Sequence, residues 1–236
     1  MAGKTKANPT SKGQGKPRSA KPTNGLPKNW PSSLPYLTSP IYSSALTPDH
    51  LTALRTPADP FKQSETLPLI PASHPRGPSA RVHILPITNP SHPAHGQHGL
   101  FAVRDLAPGE LIAPYFGEVH PGTGDGAARH ADSDYDLWVD RDGDIAVDAA
   151  RGGNEGRFIN DYRGVPEGAG TRRRANAEFR AVWDGRAGER GMGVFVLKAG
   201  VKRGEEVCVS YGKGFWGERK EGEGRDCNKV QSLVML

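Results

Sequence analysis

The sequence predicts a mainly β fold, and three observations predict it. From Asn176 the run Ala177-Glu178-Phe179-Arg180-Ala181-Val182-Trp183 alternates, with apolar or small side chains at odd positions and mostly charged ones at even positions. That is the pattern of a half-buried strand. A strand–turn–strand plan occurs twice, first over 99–116 around Asp105-Leu106-Ala107-Pro108-Gly109-Glu110, then over 194–209 around Gly200-Val201-Lys202-Arg203-Gly204-Glu205. The two units frame Gly153 to Gly164, where three glycines, two arginines, four amide or acid side chains and two aromatics fall within twelve residues. Such a stretch is too polar for a core element and too aromatic for a plain linker, so it reads as a site.

Composition divides the chain. Residues 1–80 hold 14 of the 21 prolines and carry ten Lys or Arg against three acids, whereas residues 81–236 carry 21 against 23. The +5 net charge therefore belongs to the N-terminal part, and a near-neutral body argues against a nucleic-acid-binding fold. Contact with nucleic acid is expected only through the basic tail. Two cysteines, Cys208 and Cys227, do not make a disulfide framework or a structural zinc site, which implies a reducing compartment. No apolar run approaches the roughly 18 residues of a membrane span, and the N-terminus lacks the apolar core of a secretory signal. The expectation is an intracellular protein, nuclear or cytoplasmic, with no membrane partner.

In chain order, residues 1–29 have seven basic residues, no acid and almost nothing apolar to bury, and are expected to be disordered. Residues 30–80 form a proline-rich accessory segment. Within it Thr47 as N-cap, Pro48 at the first helical position, and Leu51 and Leu54 three apart predict a short helix packed on the main domain. Residues 71–80, with three prolines and a glycine, read as its linker. The main domain is expected over 81–216, opening with a strand from Val82 to Ile87. His92, His95 and His98 follow at a spacing of three, but Pro90 and Pro93 deny that loop the helix which would bring them to one face. A plain loop without metal is the expectation.

Gly99 to Val103 and Leu111 to Phe116 read as a strand and its return. Seven aspartates then fall within residues 132–148. Asp140, Asp142 and Asp144 imitate the start of a calcium loop, which would need glycine where Ile145 stands and glutamate where Arg151 stands. A hairpin turning at Asp142-Gly143, between Leu137–Val139 and Ile145–Val147, is the better reading. Residues 217–236 form a C-terminal tail.

Taken together, these residues resemble the SET-domain family of S-adenosylmethionine-dependent protein lysine methyltransferases, over roughly residues 81–216. Four segments match in order: Gly99-Leu100-Phe101-Ala102, Tyr115-Phe116-Gly117-Glu118, Gly153-Asn154 through Arg157-Phe158-Ile159-Asn160, and Gly204-Glu205-Glu206-Val207 through Tyr211-Gly212. The resemblance implies several small curved sheets with a knot-like crossing where the Asn160 segment meets the closing one. It implies S-adenosylmethionine as cofactor, held by His98, Gly99, Leu100, Arg157, Phe158, Asn160 and Asp161. It also implies a lysine-containing protein partner whose side chain enters a channel shaped by Tyr211, the catalytic tyrosine, and Tyr115.

The chain departs from the family pattern in places. Gln97 stands where a glycine is usual, Asn160-Asp161-Tyr162-Arg163 replaces Asn-His-Ser-Cys, and Val209-Ser210 precede Tyr211 in place of Tyr-Asp. The family's cysteine-rich zinc segment is missing, so Phe215 and Trp216 are expected to close over the cofactor. A SET-fold module that binds lysine-containing peptides without methylating them is the alternative function.

The chemistry fits these residue types independently. Methyl transfer from a sulfonium to an amine is an in-line displacement, so nucleophile, methyl and leaving sulfur must be collinear and dry. The amine must be neutral, and a lysine of pKa about 10.4 loses its proton more easily where burial disfavours the ammonium. Tyrosine rings wall such a channel, and their oxygens orient the amine.

Overall fold

Short strands and long loops dominate the computed structural model, which describes residues 25–57, 66–166 and 174–211. The elements run β1 (Ile41–Tyr42), α1 (Pro48–Arg55), β2 (Leu69–Ile70), β3 (Val82–Pro86), β4 (His98–Ala102), β5 (Leu111–Tyr115), β6 (Glu118–Pro121), α2 (Gly124–Ala127), β7 (Asp136–Asp140), β8 (Ile145–Asp148), β9 (Asn160–Asp161), β10 (Ala177–Asp184), β11 (Glu189–Val196) and β12 (Cys208–Val209). One-turn 3-10 helices cover Ala128–His130 and Glu155–Phe158. Two four-stranded sheets, β1-β6-β8-β7 and β2-β10-β11-β5, and two pairs, β3-β4 and β9-β12, enclose a main core, with a smaller separate cluster of Ile70, Val182 and Phe195.

The alternating run from Ala177 is β10, pairing antiparallel with β11, and the Asp142-Gly143 turn joins β7 to β8. Asp144 takes a positive φ of 54° there, while the Asp140 side chain accepts from the Gly143 amide at 3.1 Å. The two strand–turn–strand units are not hairpins. β4 pairs with β3 and β5 with β11, while β12 pairs in parallel with β9. The units pair with each other instead: Leu106 and Val201 exchange amide-to-carbonyl bonds of 2.8 and 3.1 Å, and Val207 donates to Leu100 at 2.7 Å. Interleaving the units carries the closing segment past β4 and alongside β9, where the central stretch passes.

The N-terminal segment is part of the domain. Thr47 caps α1 and His50 completes a reciprocal capping pair with it. Leu54 is fully buried, whereas Leu51 is half-buried. The expected disordered tail over 1–29 overlaps the described residues at its end, where the Asn29 side-chain amide donates to the Ile84 carbonyl at 2.7 Å. Residues 71–80 correct the linker expectation. Arg76 is buried, ion-paired with Asp184 and lying over the Phe116 ring, and the Ser79 amide donates to Glu155 at 2.6 Å. The expected tails beyond these limits, and Phe215 and Trp216 with them, lie outside the described residues.

Candidate active site

The central stretch approaches the core from two sides. Asn154 fixes its start, donating to the Pro114 carbonyl at 2.7 Å and accepting from the Phe116 amide at 3.3 Å, which ties it to the end of β5. Glu155 is buried and accepts from the Tyr36 hydroxyl at 2.9 Å as well as from Ser79. The single 3-10 turn sets half-buried Phe158 beside two rings, with Trp30 at 5.6 Å and His98 at 6.2 Å, both edge-on. The Arg157 guanidinium lies 4.2 Å from the Tyr135 ring and 5.3 Å from the Phe158 ring, and its Nε donates to the Ala149 carbonyl at 3.1 Å.

β9 places Asn160 and Asp161 against β12. The Asn160 amide nitrogen donates to Glu206 at 2.9 Å and toward the His98 carbonyl at 3.4 Å. β4 crosses here so closely that a side chain at Gly99 would put its Cβ 2.7 Å from Glu206 Oε1 and 3.2 Å from Asn160 Nδ2. A larger residue there would have to displace the Glu206 carboxylate from Asn160. Leu100 is wholly buried, so its side chain belongs to the core and only its backbone borders the site.

Asp161 is directed inward. Its carboxylate accepts from the Tyr211 amide at 2.6 Å and from the Arg163 amide and guanidinium at 2.7 Å each. This holds Tyr211 in register with the Asn160 loop. The Tyr211 hydroxyl donates to the Ile159 carbonyl at 2.5 Å, and the Tyr115 hydroxyl donates to the Tyr135 carbonyl at 2.8 Å. Both phenols lie in the main core cluster, and Tyr115 packs edge-on to Phe179 at 5.3 Å. Burial, reinforced by Asp161 for Tyr211 and by Asp148 for Tyr115, raises both phenols well above their ordinary pKa, so they are neutral at physiological pH.

One buried group escaped the sequence reading. Of the three loop histidines, His95 is exposed, His98 is half-buried beside Phe158, and His92 is 7% exposed with Nε2 donating to Glu206 at 3.1 Å. His92 and Glu206 are 114 residues apart, and nothing local in either segment announces the pair. Among the described residues no group of three His, Cys, Asp or Glu side chains is arranged to hold a metal ion. Nor is any helix among them long and apolar enough to cross a membrane.

The site is thus a tight strand crossing at Gly99 beside two buried tyrosines, in a mainly β chain of small sheets. Residues 97–212 match the family model for the SET domain, and this part of the chain is a SET domain. Solved structures similar to it include an active polycomb repressive complex 2 in the basal state, at 27% identity and TM-score 0.39 over 49% of this chain and 14% of that one. Another is the Chaetomium thermophilum polycomb repressive complex 2 bound to GSK126, at 25% identity and TM-score 0.43 over 61% of this chain and 17% of that one. The chain thus corresponds to about one sixth or less of those chains' length. No curated protein matches it.

Half-buried His98, Phe158 and Asn160 meet at one edge of the β4 crossing. Aromatic rings beside an amide and backbone polar groups suit a nucleoside joined to an amino acid, which needs an apolar face for its base and hydrogen bonds for its polar ends. The residues present therefore fit S-adenosylmethionine.

Proposed function

We propose that this protein is an S-adenosylmethionine-dependent methyltransferase acting on the side-chain amine of a protein lysine in an intracellular compartment. The observation that carries the proposal is the pair of buried, neutral phenols, Tyr211 and Tyr115. Each has its hydroxyl proton committed to a backbone carbonyl beside the Asn160 loop. His98, Phe158 and Asn160 would hold the cofactor, with Gly99 and Leu100 offering backbone. The cofactor supplies an electrophilic methyl group on a sulfonium.

With their protons held by Ile159 and Tyr135, the phenol oxygens act as acceptors toward an incoming amine. They orient its N–H groups and direct its lone pair along the transfer axis. The apolar surroundings of Tyr115 and Tyr211 exclude water and disfavour the ammonium form, so the amine gives its proton to solvent before it attacks. Asp161 fixes Tyr211 through its amide, and Arg157 steadies the Tyr135 segment by lying over its ring.

The test is transfer of label from methyl-labelled S-adenosylmethionine to an acid-extracted, lysine-rich protein mixture, with the modified residue located by mass spectrometry. Label on lysine ε-nitrogens is the expected result. Cofactor binding without any transfer would instead identify a peptide-binding module of SET fold.

A further inference from the structure

We propose that His92 and Glu206 form a buried latch whose task is to orient the side-chain amide of Asn160 for the cofactor. The proposal rests on the functional reading that the Asn160 loop holds S-adenosylmethionine. It assigns positioning roles to two residues that would not touch the cofactor themselves.

Glu206 is 4% exposed, and a carboxylate is rarely buried unless donors meet its oxygens. Oε1 accepts from Asn160 Nδ2 at 2.9 Å, and Oε2 accepts from His92 Nε2 at 3.1 Å. The other ring nitrogen of His92 accepts from the Ala94 amide at 3.0 Å, so it carries no hydrogen, and the ring is the neutral Nε2–H tautomer. The loop's own backbone thus sets which nitrogen of His92 faces Glu206.

The consequence falls on Asn160. The groups facing its inward side are a carboxylate and the His98 carbonyl, both acceptors only, so the amide nitrogen must point inward. Because the amide is planar, Oδ1 then points away from that carboxylate, and Asn160 is only half-buried. A cofactor amino or ammonium group there meets an acceptor. A flipped amide would present hydrogens to it instead.

The latch also explains why the acid form of the side chain is needed. Glutamine at 206 has nearly the same shape but only one acceptor end. With its oxygen toward Asn160, its amide hydrogens face the His92 Nε2–H. Moving the His92 proton to Nδ1 relieves that clash only by setting a second donor against the Ala94 amide. Turning the glutamine round lets its oxygen accept from His92 but sets its amide hydrogens against Asn160, which must then flip and face its own oxygen to the His98 carbonyl. No arrangement satisfies every group, and the preference of Asn160 for the inward-nitrogen orientation falls.

The experiment uses the full chain and measures binding of S-adenosylmethionine and S-adenosylhomocysteine by calorimetry, with melting temperature in parallel. Glu206→Gln is expected to weaken both about tenfold, the usual effect of one lost hydrogen bond to a charged group. His92→Leu should weaken binding similarly, and His92→Gln, whose terminal amide reaches toward the Nε2 position, should recover most of the loss. Combined with Asn160→Ala, Glu206→Gln should add nothing further. In transfer assays the cofactor KM should rise with little change in kcat, and nitrogen NMR of the unliganded protein should find His92 in the Nε2–H form.

Wild-type affinity in a folded Glu206→Gln protein, additive losses in the double variant, or an Nδ1–H tautomer would overturn the latch while leaving the functional reading intact. Should Glu206→Gln fail to fold, equal affinities for the leucine and glutamine variants at His92 would overturn it. A wild-type protein that binds neither compound defeats the functional reading and the latch with it.

Discussion

The backbone amide of Tyr211 donates to the buried carboxylate of Asp161 at 2.6 Å, which fixes the closing segment to the central stretch next to the site. Asp161→Ala would strand that amide and free Arg163. The expected cost is about 1.5 to 3 kcal/mol, the range for a hydrogen bond to a charged group. Arg163→Gln keeps the carboxylate on the Tyr211 amide and should cost less. Equilibrium denaturation of both variants checks the order, and a larger loss for Arg163→Gln would contradict it.

Arg76 carries the second prediction. Its side chain is 6% exposed and meets Asp184, itself 7% exposed. Burial would raise the Asp184 pKa, but the Arg76 bond and two backbone amides hold it below the usual carboxylate value. Arg76→Met leaves the Asp184 carboxylate without its cation, held only by two backbone amides, and should destabilise by about 3 kcal/mol. The paired state stabilises above the unfolded carboxylate pKa of about 3.9, and that contribution is lost as pH falls through the lower folded value. Acid titration of stability should therefore be shallower in Arg76→Met than in wild type at the low end.

How much of this was legible in the sequence depends on the range of the interaction concerned. The Thr47 cap, the alternation from Ala177 and the Asp142-Gly143 turn are local, and each specifies its element. Alternation does not name a partner, however, so β5 read as the return of β4 although it pairs with β11. Ile41–Tyr42 and Leu69–Ile70 are two-residue strands formed by edge pairing with β6 and β10, too short to carry a pattern. Arg76 among prolines reads as solvent-exposed linker because its partner lies 108 residues away. Four motifs in order single out Tyr115, Tyr211, Asn160 and Gly99 in the sequence, but not the inward turn of Asp161 or the His92–Glu206 pair, because each of these depends on a contact between distant segments.

Trp30 links the N-terminal segment to the site. It is 7% exposed and packs edge-on against Tyr36 at 5.0 Å and Phe158 at 5.6 Å. Trp30→Ala should cost about 3 to 5 kcal/mol, as large-to-small changes in packed cores do. It should also weaken S-adenosylmethionine binding, because Phe158 loses its support. A destabilised protein of unchanged affinity would separate Phe158 from the cofactor.

The stacked rings of His120 and His130, 3.6 Å apart, make a pH prediction. Burial lowers the His120 pKa, but the Asp136 hydrogen bond and charge outweigh it and the net shift is upward. Both its nitrogens face acceptors, Asp136 at 3.0 Å and the Pro121 carbonyl at 2.8 Å. Burial lowers His130, and the charge on His120 adds to that against the Asp148 bond, so the net shift is downward.

His120 therefore stabilises fully below the unfolded histidine value of about 6.5, and its contribution is lost as pH rises through its raised folded value. His130 stabilises above about 6.5, and its contribution is lost as pH falls through its lowered one. Between pH 5.5 and 8 the pair should give a stability maximum near pH 6.5. His120→Gln should flatten the alkaline limb and His130→Asn the acid limb. Variants that track the wild-type profile on both limbs would contradict the assignment.

Tyr211→Phe tests the central claim most directly, in a single-turnover transfer assay with cofactor affinity and melting temperature measured alongside. Removing the hydroxyl deletes the donor to Ile159 and the oxygen that would orient the amine, while the ring keeps its place in the core. Loss of one such polar group in a preorganised site typically costs about a hundredfold to a thousandfold in rate, and the lower end is expected because the Tyr115 oxygen and the Ile159 and Tyr135 carbonyls remain. The account predicts that fall with cofactor affinity nearly unchanged. A stable Tyr211→Phe protein that transfers methyl groups at the wild-type rate would contradict it.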